Sequence, residues 1–222
     1  MTTQSADRNI LQFVPIVVGW LLGILSAIIL DKLRKWFLKR EIKKGIMSEI
    51  KELQLHLTAI CINTVTNSAT VTLEWSKWVR PYYEQLIGTD AIDYLIENKE
   101  QISNILKFTD DQFYTFLLLM QDKKDERVNL TFTRISTPYL NSKYESISTF
   151  KQEFQLLITK LRREIEFLNN DFDQCWFYHS KTFDKITDLN LDVVRKNIDQ
   201  IIKRISRRTK GTIKLIQKII DF

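Results

Sequence analysis

The stretch ILQFVPIVVGWLLGILSAIIL, residues 10–30, contains fourteen Ile, Leu, Val or Phe residues and no charged side chain. At roughly −0.3 to −0.6 kcal/mol each for membrane insertion, these residues outweigh Gln12, Pro15 and two glycines. As a helix, the stretch reaches about 31 Å, close to the hydrocarbon thickness of a bilayer. A soluble core helix of this length would carry a polar face, and only Gln12 and Ser26 are available for one. Pro15 falls in the early turns, where a missing N–H is best tolerated. The features of a cleaved signal peptide are lacking: Arg8 is balanced by Asp7, the apolar run is long, and Asp31-Lys32-Leu33-Arg34-Lys35 follows it in place of a small-residue cleavage site. The expectation is a single transmembrane helix over 10–30 after a short extracytoplasmic N-terminus, 1–9.

The flanks give this helix a direction. Lys32, Arg34, Lys35, Lys39, Arg40, Lys43 and Lys44 follow it, and only Arg8 precedes it. The positive-inside rule then places the N-terminus outside and the rest in the cytoplasm, as in a bacterial inner-membrane protein whose basic run faces the anionic inner leaflet. Trp36 and Phe37 sit where an aromatic belt belongs. Gly19, Gly23 and Ala27 recur every four residues and form a small-residue face on which two such helices can pair. A homo-oligomer is therefore expected, and an unidentified protein partner is left open.

Beyond Leu30 the chain keeps three glycines and two prolines, which argues for long helices and few turns. Ile42, Ile46, Ile50, Leu53, Leu57 and Ile60 keep helical spacing, so the membrane helix is expected to continue as a basic stalk over 31–66. A helical bundle is expected over 67–222. Thr64 to Thr72 reads as a break or a weak helical stretch. A helix through Trp75, Trp78 and Val79 should stop at Arg80-Pro81, and Gly88-Thr89-Asp90 should form a turn with an N-cap. Short helices should follow over Ala91–Lys107. Thr109-Asp110-Asp111-Gln112 is a capping box opening a helix through Met120. Lys123 to Tyr139 reads as a loop. From about Asn141, Ile147, Phe150, Phe154, Leu157, Leu161, Ile165, Leu168 and Phe172 mark a long helix reaching Phe183. Ile198, Ile202, Ile205, Thr209, Thr212, Ile216 and Ile219 mark another. Such heptads serve a bundle or a coiled coil between chains. The fold class is all-α.

Charge is uneven. Residues 31–44 carry net +5, residues 195–218 net +8, and residues 45–194 net −6. A uniformly basic nucleic-acid binder is not built this way. The C-terminal basic face consists of Arg195, Lys196, Lys203, Arg204, Arg207, Arg208, Lys210, Lys214 and Lys218. Three readings are open for it: the anionic inner leaflet, nucleic-acid phosphates, or a solvated face whose isoleucines pack on the acidic body.

Chemistry is sparse. Cys61 and Cys175 stand in no spaced motif and read as reduced thiols. Asp171, Cys175 and His179 share a helix face, but no second ligand cluster completes a metal site. No phosphate-binding glycine loop or nucleophile elbow is present. The sequence thus assigns no catalytic residue, cofactor or metal. HEPN ribonucleases pair an arginine with a histidine across four to six intervening residues, whereas the nearest arginines here, Arg163 before His179 and Arg40 before His56, each stand sixteen positions away.

In general plan the chain resembles small single-span bacterial proteins associated with phage defence, including membrane accessory proteins of RNA-targeting CRISPR systems. That resemblance implies a non-enzymatic membrane scaffold or membrane-perturbing effector. The alternative is a membrane-tethered, degenerate HEPN-like ribonuclease or nucleic-acid-binding module.

Overall fold

The computed structural model describes residues 4–68, 71–87, 104, 105, 107–122, 132–183 and 188–222. Among these residues there is no strand. The elements are α1 (Gln4–Ser68), α2 (Leu73–Ile87), α3 (Asp110–Asp122), α4 (Pro138–Ser142), a 3-10 turn (Glu145–Thr149), α5 (Gln152–Lys181) and α6 (Asp188–Ile220). The all-α expectation holds. The expected Gly88 turn, most of the Ala91–Lys107 helices and the first part of the Lys123–Tyr139 loop lie outside the described residues.

The chain divides into two compact units, Met1–Ile46 and Met47–Phe222. The segment expected as one stalk, 31–66, is therefore shared between them. The cause lies in its sequence: Ile50, Leu53, Leu57, Cys61 and Val65 form a stripe that is buried and belongs to the core of the second unit.

In the first unit the described side chains begin at Val18. Among the described residues no helix is long and apolar enough to cross a membrane. The transmembrane helix expected over 10–30 starts on residues 10–17, whose side chains lie outside the described residues. The remainder, Val18–Leu30, is thirteen residues long, where a span needs about 20. Farther along this unit, Asp31 and Lys35 form an exposed i,i+4 ion pair at 2.8 Å. The Arg40 guanidinium lies 5.6 Å from the Trp36 ring centroid.

In the second unit α5 packs along α6, and α2 packs on α3. The heptads are thus used within the chain. Phe154, Ile158, Leu161, Ile165, Leu168 and Phe172 of α5 are buried, as are Ile202, Ile205, Ile213, Ile216 and Ile219 of α6. Thr209 and Thr212 sit in the same stripe. Their hydroxyls donate back to the carbonyls of Ile205 (2.7 Å) and Arg208 (2.9 Å), so neither hydroxyl is stranded.

Several expected boundaries move. Helix α1 continues through Thr64 to Ser68, because Thr64 and Thr66 are buried and return their hydroxyls to Cys61 and Ile62. Helix α2 runs through Pro81, the expected stop. The lost N–H is outweighed by packing on both sides: Val79 is fully buried, the Tyr83 ring lies 5.4 Å from that of Phe113, and Arg80 bonds Glu84, Asp110 and the Phe108 carbonyl. The helix expected from Asn141 begins only at Gln152. Ser148 and Thr149 donate to the carbonyls of Glu145 and Ser146, which favours the 3-10 turn, and Phe150 is extended at φ −88°, ψ 173°. At its other end this helix stops at Lys181. The capping box forms as expected: Thr109 N–H donates to Gln112 Oε1 at 2.8 Å, and Gln112 N–H donates to Thr109 Oγ1 at 3.3 Å.

Residues 132–137 form a non-helical strap tied down by polar side chains. Asn169 both accepts from the Ile135 N–H (2.7 Å) and donates to its carbonyl (3.0 Å). Trp176 donates from Nε1 to the Phe132 carbonyl at 2.9 Å. At the strap's end, both oxygens of Glu49 in α1 accept from the N–H groups of Tyr139 (2.8 Å) and Leu140 (2.7 Å). Glu49 thereby caps the N-terminus of α4.

Candidate anion-binding site

The isoleucine stripe of α6 turns the basic residues between its apolar positions outward. Arg195, Lys196, Lys203, Arg207, Lys214 and Lys218 are exposed, and Arg204, Arg208 and Lys210 are partly covered. The isoleucines are committed to the core.

Two of those cations are occupied. Arg204 donates from Nε to Asp171 Oδ1 at 2.7 Å and from an Nη to Gln174 Oε1 at 2.6 Å. Arg208 Nε lies 2.9 Å from Asp171 Oδ2. That contact is outside hydrogen-bond angles, so it holds the pair by charge alone. Arg208 also approaches Glu164 at 3.9 Å and lies 4.8 Å from the Phe167 centroid. Lys210 is placed 5.0 Å from the Trp78 centroid. The arginines therefore fasten α6 to α5, a role the sequence reading missed. Its signal was an acidic residue, Asp171, on the buried stripe of one helix and arginines bordering the stripe of the next.

Three of the other cations, Arg207, Lys214 and Lys218, border a groove. Lys160 and Glu164 of α5 and Arg207, Arg208, Gly211, Lys214, Leu215 and Lys218 of α6 line a cavity of about 350 Å³. Arg207, Gly211, Lys214 and Lys218 follow steps of four, three and four, which sets them on one face. A Cβ at Gly211 would meet nothing within 4 Å, so the wall there is open. Among the described residues no carboxylate approaches Lys160, Arg207, Lys214 or Lys218 within 4.0 Å.

No protein-family model, curated protein or solved structure matches the chain. The site is accordingly read from its own geometry.

The remaining candidates fall apart from this groove. Among the described residues no group of three His, Cys, Asp or Glu is placed to hold a metal. Asp171 is taken by the arginines. Burial holds the Cys175 thiol up at about 11. The His179 ring lies between Trp176 (5.9 Å) and Phe183 (5.3 Å). Arg163 and His179 both lie on α5, about 24 Å apart along its axis, so within one chain they do not meet. His56 lines a second groove, of about 330 Å³, with Glu49, Glu52 and strap residues 133–136. Although the histidine keeps an exposed surface, desolvation lowers its pKa, against the pull of Glu52.

In the first unit, Gly19, Gly23 and Ala27 are exposed, and a Cβ at either glycine would meet nothing within 4 Å. Lys32, Arg34, Lys35, Arg40 and Lys44 are exposed, and Lys39 and Lys43 are half-buried.

Proposed function

We propose that the chain is a single-pass membrane-anchored helical module that acts by assembly, as a scaffold or membrane-perturbing effector, and not by catalysis. Residues 10–30 cross the bilayer, 1–9 lie outside, and the second unit is cytoplasmic. The observation that carries this reading is the environment of α1 between Val18 and Leu30. Val18, Trp20, Leu21, Leu22, Ile24, Leu25, Ile28, Ile29 and Leu30 point to every side of the helix, and each is at least 40% exposed. A helix apolar all round needs an apolar surrounding, and at ~25 cal/mol per Å² burial of these side chains in lipid is strongly favourable. The uncharged run from Ile10 supplies the rest of the length, and the basic residues from Lys32 to Lys44 supply the direction.

Self-association is carried by Gly19, Gly23 and Ala27. Their face is open, so a second copy can approach without displacing a side chain of this chain. The test is membrane potential during expression of the full chain. Expression should depolarise the membrane, and Gly19→Leu with Gly23→Leu should abolish that effect while the protein stays in the membrane fraction. A native chain that leaves the potential intact rules out the effector reading. Depolarisation that survives the double substitution rules out assembly through this face.

A further inference from the structure

We propose that the groove between α5 and α6 is a binding site for a small ligand bearing two or more phosphates, held by Lys160, Arg207, Lys214 and Lys218. The cations come from two helices and converge on one cavity of about 350 Å³, within the ~300–1,000 Å³ range of small-molecule sites. The groove wall is preorganised. Arg208, between them, is fixed by Asp171 and Glu164 and is therefore electrically spent. The four others have no carboxylate partner among the described residues, so the groove carries four uncompensated positive charges. Lys214 and Lys218 stand at i,i+4, a like-charge spacing that weakens an isolated helix and that a bound polyanion would relieve.

The lining also says what is bound. Leu215 is its one apolar lining side chain, no aromatic ring is among its lining residues, and the Phe167 ring beside Arg208 is already met by that guanidinium, 4.8 Å from its centroid. Recognition therefore falls on phosphate groups. Gly211 leaves room for them at the wall, since even a methyl group there would touch nothing. The same chemistry is offered by a free oligophosphate and by a phospholipid headgroup.

The experiment uses the full chain in nanodiscs of neutral phosphatidylcholine, titrated with inorganic tripolyphosphate. Saturable binding is expected. Lys214→Glu with Lys218→Glu should weaken it by about tenfold or more, and Lys160→Gln should weaken it by roughly threefold. The matched control, Lys196→Glu with Lys203→Glu, reverses two exposed charges outside the groove and should leave affinity within about twofold. All these side chains are exposed, so unfolding midpoints should be unchanged, and they are measured alongside. Repeating the titration in nanodiscs containing phosphatidylglycerol separates the two sources. Competition by the lipid that is lost in the Lys214→Glu, Lys218→Glu variant assigns a headgroup, and binding indifferent to the lipid assigns a free phosphate. The proposal is overturned if tripolyphosphate does not bind, or if the control variant loses as much affinity as the groove variant. It is also overturned if single-stranded RNA displaces tripolyphosphate from the native chain and binds the groove variant equally well.

Discussion

Asp171 Oδ1 accepts a hydrogen bond from Arg204 Nε at 2.7 Å, across the seam between α5 and α6. The aspartate side chain is 6% exposed, and Arg208 reaches its other oxygen from the next turn of α6. Removing both arginines would leave a buried carboxylate without a counter-charge. Breaking a buried pair costs about 3–5 kcal/mol, and because Arg204 is 41% exposed, the lower end applies. Arg204→Met with Arg208→Met should therefore cost roughly 3 kcal/mol in urea unfolding, whereas either substitution alone should cost about 1 kcal/mol. Strict additivity of the two single effects would contradict a shared aspartate.

Glu49 does for α4 what a local capping residue does elsewhere, from ninety positions away. The strap ends at Thr137, whose side chain makes no cap bond, so the first N–H groups of α4 depend on the Glu49 carboxylate. Glu49→Ala should cost about 1–2 kcal/mol, and Glu49→Gln, which keeps one acceptor, about half of that. Hydrogen exchange at the Tyr139 and Leu140 amides is the specific readout. If their protection in Glu49→Ala equals that in the native chain, the cap is not what holds them.

The thiols give a pH-dependent prediction. Desolvation pushes Cys61 up to about 12, against smaller opposing effects of Trp75 and Lys210, and pushes Cys175 up to about 11. Both are buried. At pH 8 the Cys61 thiolate fraction is on the order of one in ten thousand, so neither cysteine should react with iodoacetamide until the chain unfolds. The sign of the linkage follows. The folded state keeps its thiol protons longer than the unfolded chain, so their contribution to stability is present below pH ~9 and is lost as the pH rises toward 12. Cys61→Ser with Cys175→Ser should flatten that alkaline limb of the unfolding midpoint against pH. An unchanged limb would mean that other groups set it.

What could be read from the sequence was what lies within one helix. The Thr109–Gln112 capping box forms with both of its bonds. The α6 stripe from Ile202 to Ile219 is buried as its spacing predicts. Pro81 misled because its cost is local and the packing of Val79 and Tyr83 that outweighs it is not. Phe150 misled because apolar spacing continues through the serine-rich 3-10 turn without distinguishing it from helix. The groove was half visible. Arg207, Lys214 and Lys218 share a face of α6, but Lys160 joins them only when α5 and α6 are paired, and no single-helix periodicity carries that pairing. The same holds for Asp171, a polar residue on an apolar stripe until Arg204 and Arg208 are brought to it.

The claim that residues 10–30 cross a membrane with their N-terminal side outside is tested most directly by labelling intact cells with a membrane-impermeant maleimide. In a Cys61→Ser, Cys175→Ser background, one chain carries Ser5→Cys and another carries Ser148→Cys, an exposed position in the second unit. The account predicts that the Ser5→Cys chain is labelled in intact cells and that the Ser148→Cys chain is labelled only after permeabilisation. A Ser5→Cys chain that stays unlabelled until the cells are opened, or a Ser148→Cys chain labelled in intact cells, would contradict it.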